Sequence, residues 1–218
     1  MKKIIIHIII VVALLSPRIV QAQGTITYLS NLGQSSTGSG AVGSDSWLAV
    51  NVFTGNNASG YMLNSIQLAM TDASGNPSGF EVMVYSIRPG TDFPGSSLGT
   101  LNGSTDPATG DIYTYTPGSN FILKRNTYYC VVLTSATAIA NGIYDWSSVG
   151  ANSYNPTGGW GGVSGLWNSS DGSTWNFTSG AFPQFAITAT PIPEPSSLGL
   201  LVLGGLGLLW HRHKTKAV

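Results

Sequence analysis

Residues 23–190 of this 218-residue chain contain no run of apolar side chains at helical spacing, and that absence bounds the fold more tightly than any other feature. Short β-branched and aromatic runs recur instead, separated by Gly, Ser, Asn, Asp and Pro. Residues 47–53 alternate, with Leu48, Val50 and Val52 on one face and Trp47 and Phe53 on the other. Residues 80–87 set Phe80, Val82 and Val84 against Glu81, Met83 and Tyr85. A strand over 61–70 follows the turn 55–60, which suggests a hairpin-like pair with 47–53. Residues 72–79 read as a turn, and shorter strands are expected over 112–115, 121–123 and 142–146. Residues 127–134 are apolar on both faces and predict a central strand, 151–180 read as long loops around brief strand pieces, and 182–190 close the domain. Many short strands without crossover helices predict an all-β fold, an antiparallel β-sandwich of jelly-roll type.

The two ends read differently. Met1-Lys2-Lys3, an apolar run over 4–15 and small Ala22 have the order of a secretory signal peptide, cleaved before Gln23, with an uncleaved anchor as the alternative. The other end carries Pro193-Glu194-Pro195, an uncharged stretch over 198–210, then Arg212, Lys214 and Lys216. Thirteen helical residues span roughly 20 Å against a hydrocarbon core of about 30 Å, which suits a transient halt better than a packed span. The cations after it resist translocation and would hold the tail on the cytoplasmic side. A buried core helix is the alternative, opposed by the prolines before the segment and the charges after it. The expected organisation is a signal peptide over 1–22, one domain over 23–190 and a tail over 191–218 comprising a motif, a short apolar helix and a basic end.

Between these signals only Arg88, Lys124 and Arg125 stand against eight acids, a formal charge of −5. Nucleic acid is therefore not an expected partner, and Lys124-Arg125 reads as a turn before a strand. All three histidines, His7, His211 and His213, fall in the terminal segments. The domain consequently cannot build a Ser-His-Asp or Cys-His arrangement, nor a zinc site of Cys and His. An acid-pair hydrolase stays formally open, but Asp72, Asp106 and Asp171 sit in turn-like contexts that explain them locally. No catalytic role and no metal centre are expected. Calcium is the one cofactor weighed, with Asp72, Asn76 and intervening carbonyls as oxygen donors and an ordinary turn as the alternative. Cys130, the single cysteine, lies in an apolar run and is expected in the core.

Trp160, Trp167 and Trp175 fall in a Gly-, Ser- and Asn-rich stretch with Asn168 and Asp171 nearby. Indole faces beside amides and hydroxyls can bind sugars, so an exopolysaccharide-binding module is the alternative function; rings capping the core would also explain them. Asn57, Asn102, Asn168 and Asn176 each open an Asn-X-Ser/Thr acceptor pattern, a mark of exposed polar loops.

The C-terminal order of motif, apolar segment and basic tail resembles the PEP-CTERM sorting signal of Gram-negative bacteria, matched by Pro193, Glu194 and Pro195. The resemblance implies an exosortase as processing partner, transient residence in the inner membrane, and delivery to the cell envelope, cell surface or extracellular matrix. Residues 30–188 also resemble the choice-of-anchor R domains of bacterial surface proteins. That likeness rests on residues 63–68 leading to 80–85, 94–101, 123–133, Tyr144-Asp145-Trp146, and Trp175 before 185–187. It implies no catalytic residue and fits a biofilm-matrix component.

Overall fold

The computed structural model describes residues 24–151, 154–162 and 165–194. Every regular element among them is a strand. In chain order these are β1 (Ile26–Ser30), β2 (Gly38–Val42), β3 (Trp47–Phe53), β4 (Tyr61–Gly75), β5 (Glu81–Ile87), β6 (Pro94–Asn102) and β7 (Asp111–Pro117). There follow β8 (Ile122–Leu123), β9 (Tyr128–Thr134), β10 (Gly142–Val149), β11 (Leu166–Ser169), β12 (Asn176–Thr178), β13 (Phe182–Pro183) and β14 (Phe185–Pro191). All pairings are antiparallel, and one hydrogen-bonded path runs β1-β14-β4-β7-β6-β5-β9-β3-β11-β12. The sheet curls on itself at β6, which pairs with β5 along most of its length and touches β7 only at Leu101 and Asn102.

One half is built around β9, flanked by β3 and β5 as its two-sided apolar sequence predicts. Alternation puts Leu48, Leu133 and Val82 in one row and Val50, Val131 and Val84 in the next, all in the core. The other half is built around the long β4, which receives β14 and β10 along one part of its length or another and β7 and β8 elsewhere. Ile66, Leu68, Phe185, Ile187 and Tyr115 face the same core from this side. Phe80 joins the halves, its ring 5.2 Å from that of Tyr144 and 5.9 Å from that of Tyr115. Each such side chain removed from water contributes about 1.5–3 kcal/mol.

The hairpin-like pair expected between β3 and β4 does not form. Residues 54–60 instead cross from one half of the sheet to the other, because their polar groups are satisfied by the 124–127 turn. Thr54 Oγ1 donates to the Lys124 carbonyl at 2.6 Å, and Asn126 N–H donates to the Gly55 carbonyl at 2.8 Å. Lys124-Arg125 is indeed a turn before a strand, with Asn126 at φ 46°. β4 also outruns its expected end: residues 72–75 read as turn but continue the strand, with Ser74 and Gly75 paired to β10, which supplies the partners this polar stretch needs.

β14 and β10 both lie against β4, and the sheet forks where they diverge. Gln184 fills the fork at 3 % exposure. Its N–H donates to the Ser147 carbonyl at 2.7 Å, while its own carbonyl accepts from Trp146 Nε1 at 3.0 Å and Ala69 N–H at 3.1 Å. Its side-chain oxygen accepts from Ser147 Oγ at 2.6 Å, and Nε2 donates to the Gln34 carbonyl at 2.7 Å. Asn31 completes the node, donating to the Pro183 carbonyl at 3.0 Å and accepting from Phe185 N–H at 2.8 Å. Gln184→Leu would keep the volume but leave the Ser147 hydroxyl and Gln34 carbonyl without these partners. Urea denaturation should show a loss of about 2–4 kcal/mol, against under about 1 kcal/mol for Gln67→Leu, where a half-exposed amide gives up one bond to Thr114.

Alkali should unfold the domain for a related reason. Burial pushes the hydroxyls of Tyr115, Tyr144 and Tyr154 well above their ordinary value of 10.0, and the Cys130 thiol above 9.0. The folded state thus keeps protons that the unfolded chain releases. The stability carried by these neutral groups is complete below their unfolded values and is lost as pH rises through them toward the raised folded ones. Tyrosinate absorbance from the buried rings should therefore appear together with the loss of near-ultraviolet dichroism; full ionisation before unfolding would contradict this account.

Candidate functional site

The end of β14 leads straight into the tail motif. Pro191 is paired with Tyr61, and Ile192 N–H donates to the Gly60 carbonyl at 3.0 Å, extending the ladder by one bond. The turn before β4 then grips the chain. Asn57 Nδ2 donates to the Ile192 carbonyl at 3.0 Å and to the Gly60 carbonyl at 2.8 Å, and Ala58 N–H donates to Glu194 Oε1 at 2.8 Å. Gly60 makes the turn possible at φ 80°, where a side chain would also meet the Leu123 carbonyl. Pro193 and Glu194 are exposed on this bracket. Pro195, the apolar segment over 198–210, and Arg212, Lys214 and Lys216 lie outside the described residues, as does the segment over 1–22.

Trp167 and Trp175 come together on the outer face of the β3-β9-β5 half, in a second apolar cluster with Ala49, Met83, Cys130 and Val132. Trp167 extends the cross-strand row of Ala49, Val132 and Met83 by one strand, and Phe93 packs edge-on against it at 5.0 Å. Trp160 is elsewhere, in the main core, stacked on Tyr28 at 4.8 Å with Tyr61 edge-on at 5.1 Å. The three indoles are 4–7 % exposed, and each Nε1 is buried without a hydrogen-bond partner. They are packed on protein and present no open ring face. Asp171 ties its own turn together: its carboxylate accepts from Thr174 and Ser173 N–H and from Ser169 Oγ, and these bonds hold it well below the ordinary carboxylate value.

Asp72, weighed for calcium, is on β4, where its Oδ1 accepts from Gly110 N–H at 2.7 Å. About 10 Å of extended chain separates it from Gly75, beyond which Asn76 lies. Among the described residues no group of three His, Cys, Asp or Glu could hold a metal. Cys130 is fully buried and donates to Asn51 Oδ1 at 2.9 Å.

One feature escapes the sequence reading. A groove of about 650 Å³ runs between the 86–91 segment and residues 120–129, and a smaller one of about 320 Å³ joins it at Ile122, Lys124 and Thr127 and ends at the Ala58–Gly60 turn. Arg88, Lys124 and Arg125, every cation of residues 24–190, line this pair of hollows. Their sequence separation hid the grouping; the deficit of cations elsewhere in the domain was the available clue.

Residues 191–212 match the model of the PEP-CTERM protein-sorting motif. No curated protein and no solved structure matches the chain.

The bracket around the motif is open to a direct check. Asn57→Ala removes the donor to the Ile192 and Gly60 carbonyls, so the Ile192 amide should exchange with solvent about tenfold faster or more while core amides are unchanged, as expected for loss of roughly 1–2 kcal/mol of local stability. Unaltered exchange at Ile192 would show that the turn does not hold it.

Proposed function

We propose that this chain is the precursor of an exported, non-catalytic surface protein, whose β domain is a passenger of its C-terminal sorting signal. The match over residues 191–212 is the observation that carries the reading: a PEP-CTERM motif implies an exosortase-targeted, secreted surface protein that passes through a membrane-anchored precursor. In this account Pro193, Glu194 and Pro195 form the element read by the exosortase, the apolar segment over 198–210 halts in the inner membrane, and Arg212, Lys214 and Lys216 fix its orientation. The passenger is a curled antiparallel sheet that we assign to the jelly-roll type, and the looser resemblance to choice-of-anchor R domains supports a place in the envelope or biofilm matrix. A domain without histidine, rich in short polar turns and closed by a dense core, suits a structural component better than an enzyme.

Intact mass and fractionation test this in cells with and without the exosortase. The mature protein should lack both the N-terminal signal and the tail only when the exosortase is present and Glu194 is intact; Glu194→Ala should accumulate the uncut, membrane-bound form. A tail retained in wild-type cells would make it a plain anchor and end the sorting reading.

A further inference from the structure

Resting on the sorting reading for its starting point, we propose that the face bearing the paired grooves is a membrane-facing surface that takes anionic phospholipid headgroups and seats the domain on the bilayer while its tail is embedded. The position of the chain end argues for this first. Glu194 is held against the Ala58–Gly60 turn, which also forms the end of the smaller groove. The apolar segment begins at Leu198, four residues on, a reach of at most about 14 Å. With that segment in lipid, this end of the domain can hardly leave the headgroup region.

The chemistry of the face agrees with its position. Arg88, Lys124 and Arg125 are all exposed there, whereas the rest of residues 24–190 carries eight acids and no cation. An anionic bilayer would attract this face and repel the others. Acids border the face: Asp92 lies just beyond Thr91 at the groove margin, Arg88 Nη2 donates at 3.3 Å to the Ser173 carbonyl of the Asp171 turn, and Glu194 stands at the opposite end. Among the cations stand Ile122 at 55 % exposure, Tyr128 at 48 % and Leu98 at 47 %. Aliphatic and phenolic side chains rimmed by Lys and Arg suit the boundary between headgroups and acyl chains. Tyr128 supplies a single exposed ring, while the aliphatic Ile122 and Leu98 give a polysaccharide nothing to stack on, so lipid is favoured over an acidic glycan.

The test uses the full-length chain reconstituted in vesicles of phosphatidylglycerol or of phosphatidylcholine, with amide hydrogen exchange read over residues 86–91 and 120–128. Exchange of these segments should be slower in phosphatidylglycerol, and high salt should remove the difference. Each cation is worth about fivefold in affinity for an anionic surface, so Lys124→Glu with Arg125→Glu should abolish most of the protection. The salt titration of the wild-type chain decides the matter should that double variant misfold. Equal exchange in the two lipids would overturn the proposal. Protection by alginate, an acidic polysaccharide, in phosphatidylcholine vesicles without protection by phosphatidylglycerol would also overturn it and reassign the face to a glycan. Carbonate extraction of the same vesicles reports separately on the tail: release of the wild-type chain would bring down the sorting reading, whereas unequal protection speaks only to the face.

Discussion

Gln184 holds together a sheet that could not otherwise divide. A long strand such as β4 can bear one neighbour on each edge at any point; β14 takes residues 61–68 and β10 takes residues 70–75, so the two must part beside Ala69. Parting leaves backbone groups with no strand opposite them, in a place that water does not reach. The cost of such orphans, about 1–3 kcal/mol each, would exceed what the local packing returns. Gln184 resolves the conflict with main chain and side chain together: its N–H and carbonyl bridge Ser147 and Ala69, its amide reaches the Ser147 hydroxyl and the Gln34 carbonyl, and Asn31 serves the Pro183 carbonyl and Phe185 N–H. Around that junction the rings of Trp146, Phe185 and Tyr154 pack without any of them leaving a polar atom stranded.

The outer cluster follows a different rule. Trp167 and Trp175 bury their indoles among Ala49, Met83, Cys130 and Val132, with both Nε1 atoms lacking acceptors. That face is closed by apolar contact, with Trp47, Tyr85, Ile87 and Phe93 packed against it, rather than by a polar network. The two coverings therefore differ in kind: the fork is specified by direction, the outer face by area. Cys130, a member of the outer cluster, donates to Asn51 and is shut away from oxidants and partners.

Alternation made β3, β5 and β9 legible, since each buries one face or both and its side chains record the pleat. β2 and β6 left no such record. Gly38-Ser-Gly-Ala-Val42 and the serine-rich start of β6 are strands because a neighbour's backbone demands a partner, not because their side chains do. The same cause hid the last third of β4 and the crossing of residues 54–60. At the C-terminus the motif itself was readable as a string of residues, but its grip by Asn57 and Ala58 joins positions more than 130 apart, and no local pattern encodes a meeting of that span. The three tryptophans were noticed for their composition, and burial divided them between two cores.

The place of β14 in the ladder sets a timetable. It is the last strand made, yet it lies between β1 and β4, near the beginning of the hydrogen-bonded path rather than at a free margin. Without it β1 has no ladder and the Gln184 fork does not exist. A chain exported from its N-terminus can accumulate thirteen strands outside the membrane and still lack a closed core. Under the proposed sorting account, the segment that would halt in the membrane follows directly after the residues that close the sheet, so a halt there would come at the earliest moment when folding can finish. On that account the sheet would close beside the bilayer, with residues 185–191 only a few positions from the segment halted in it.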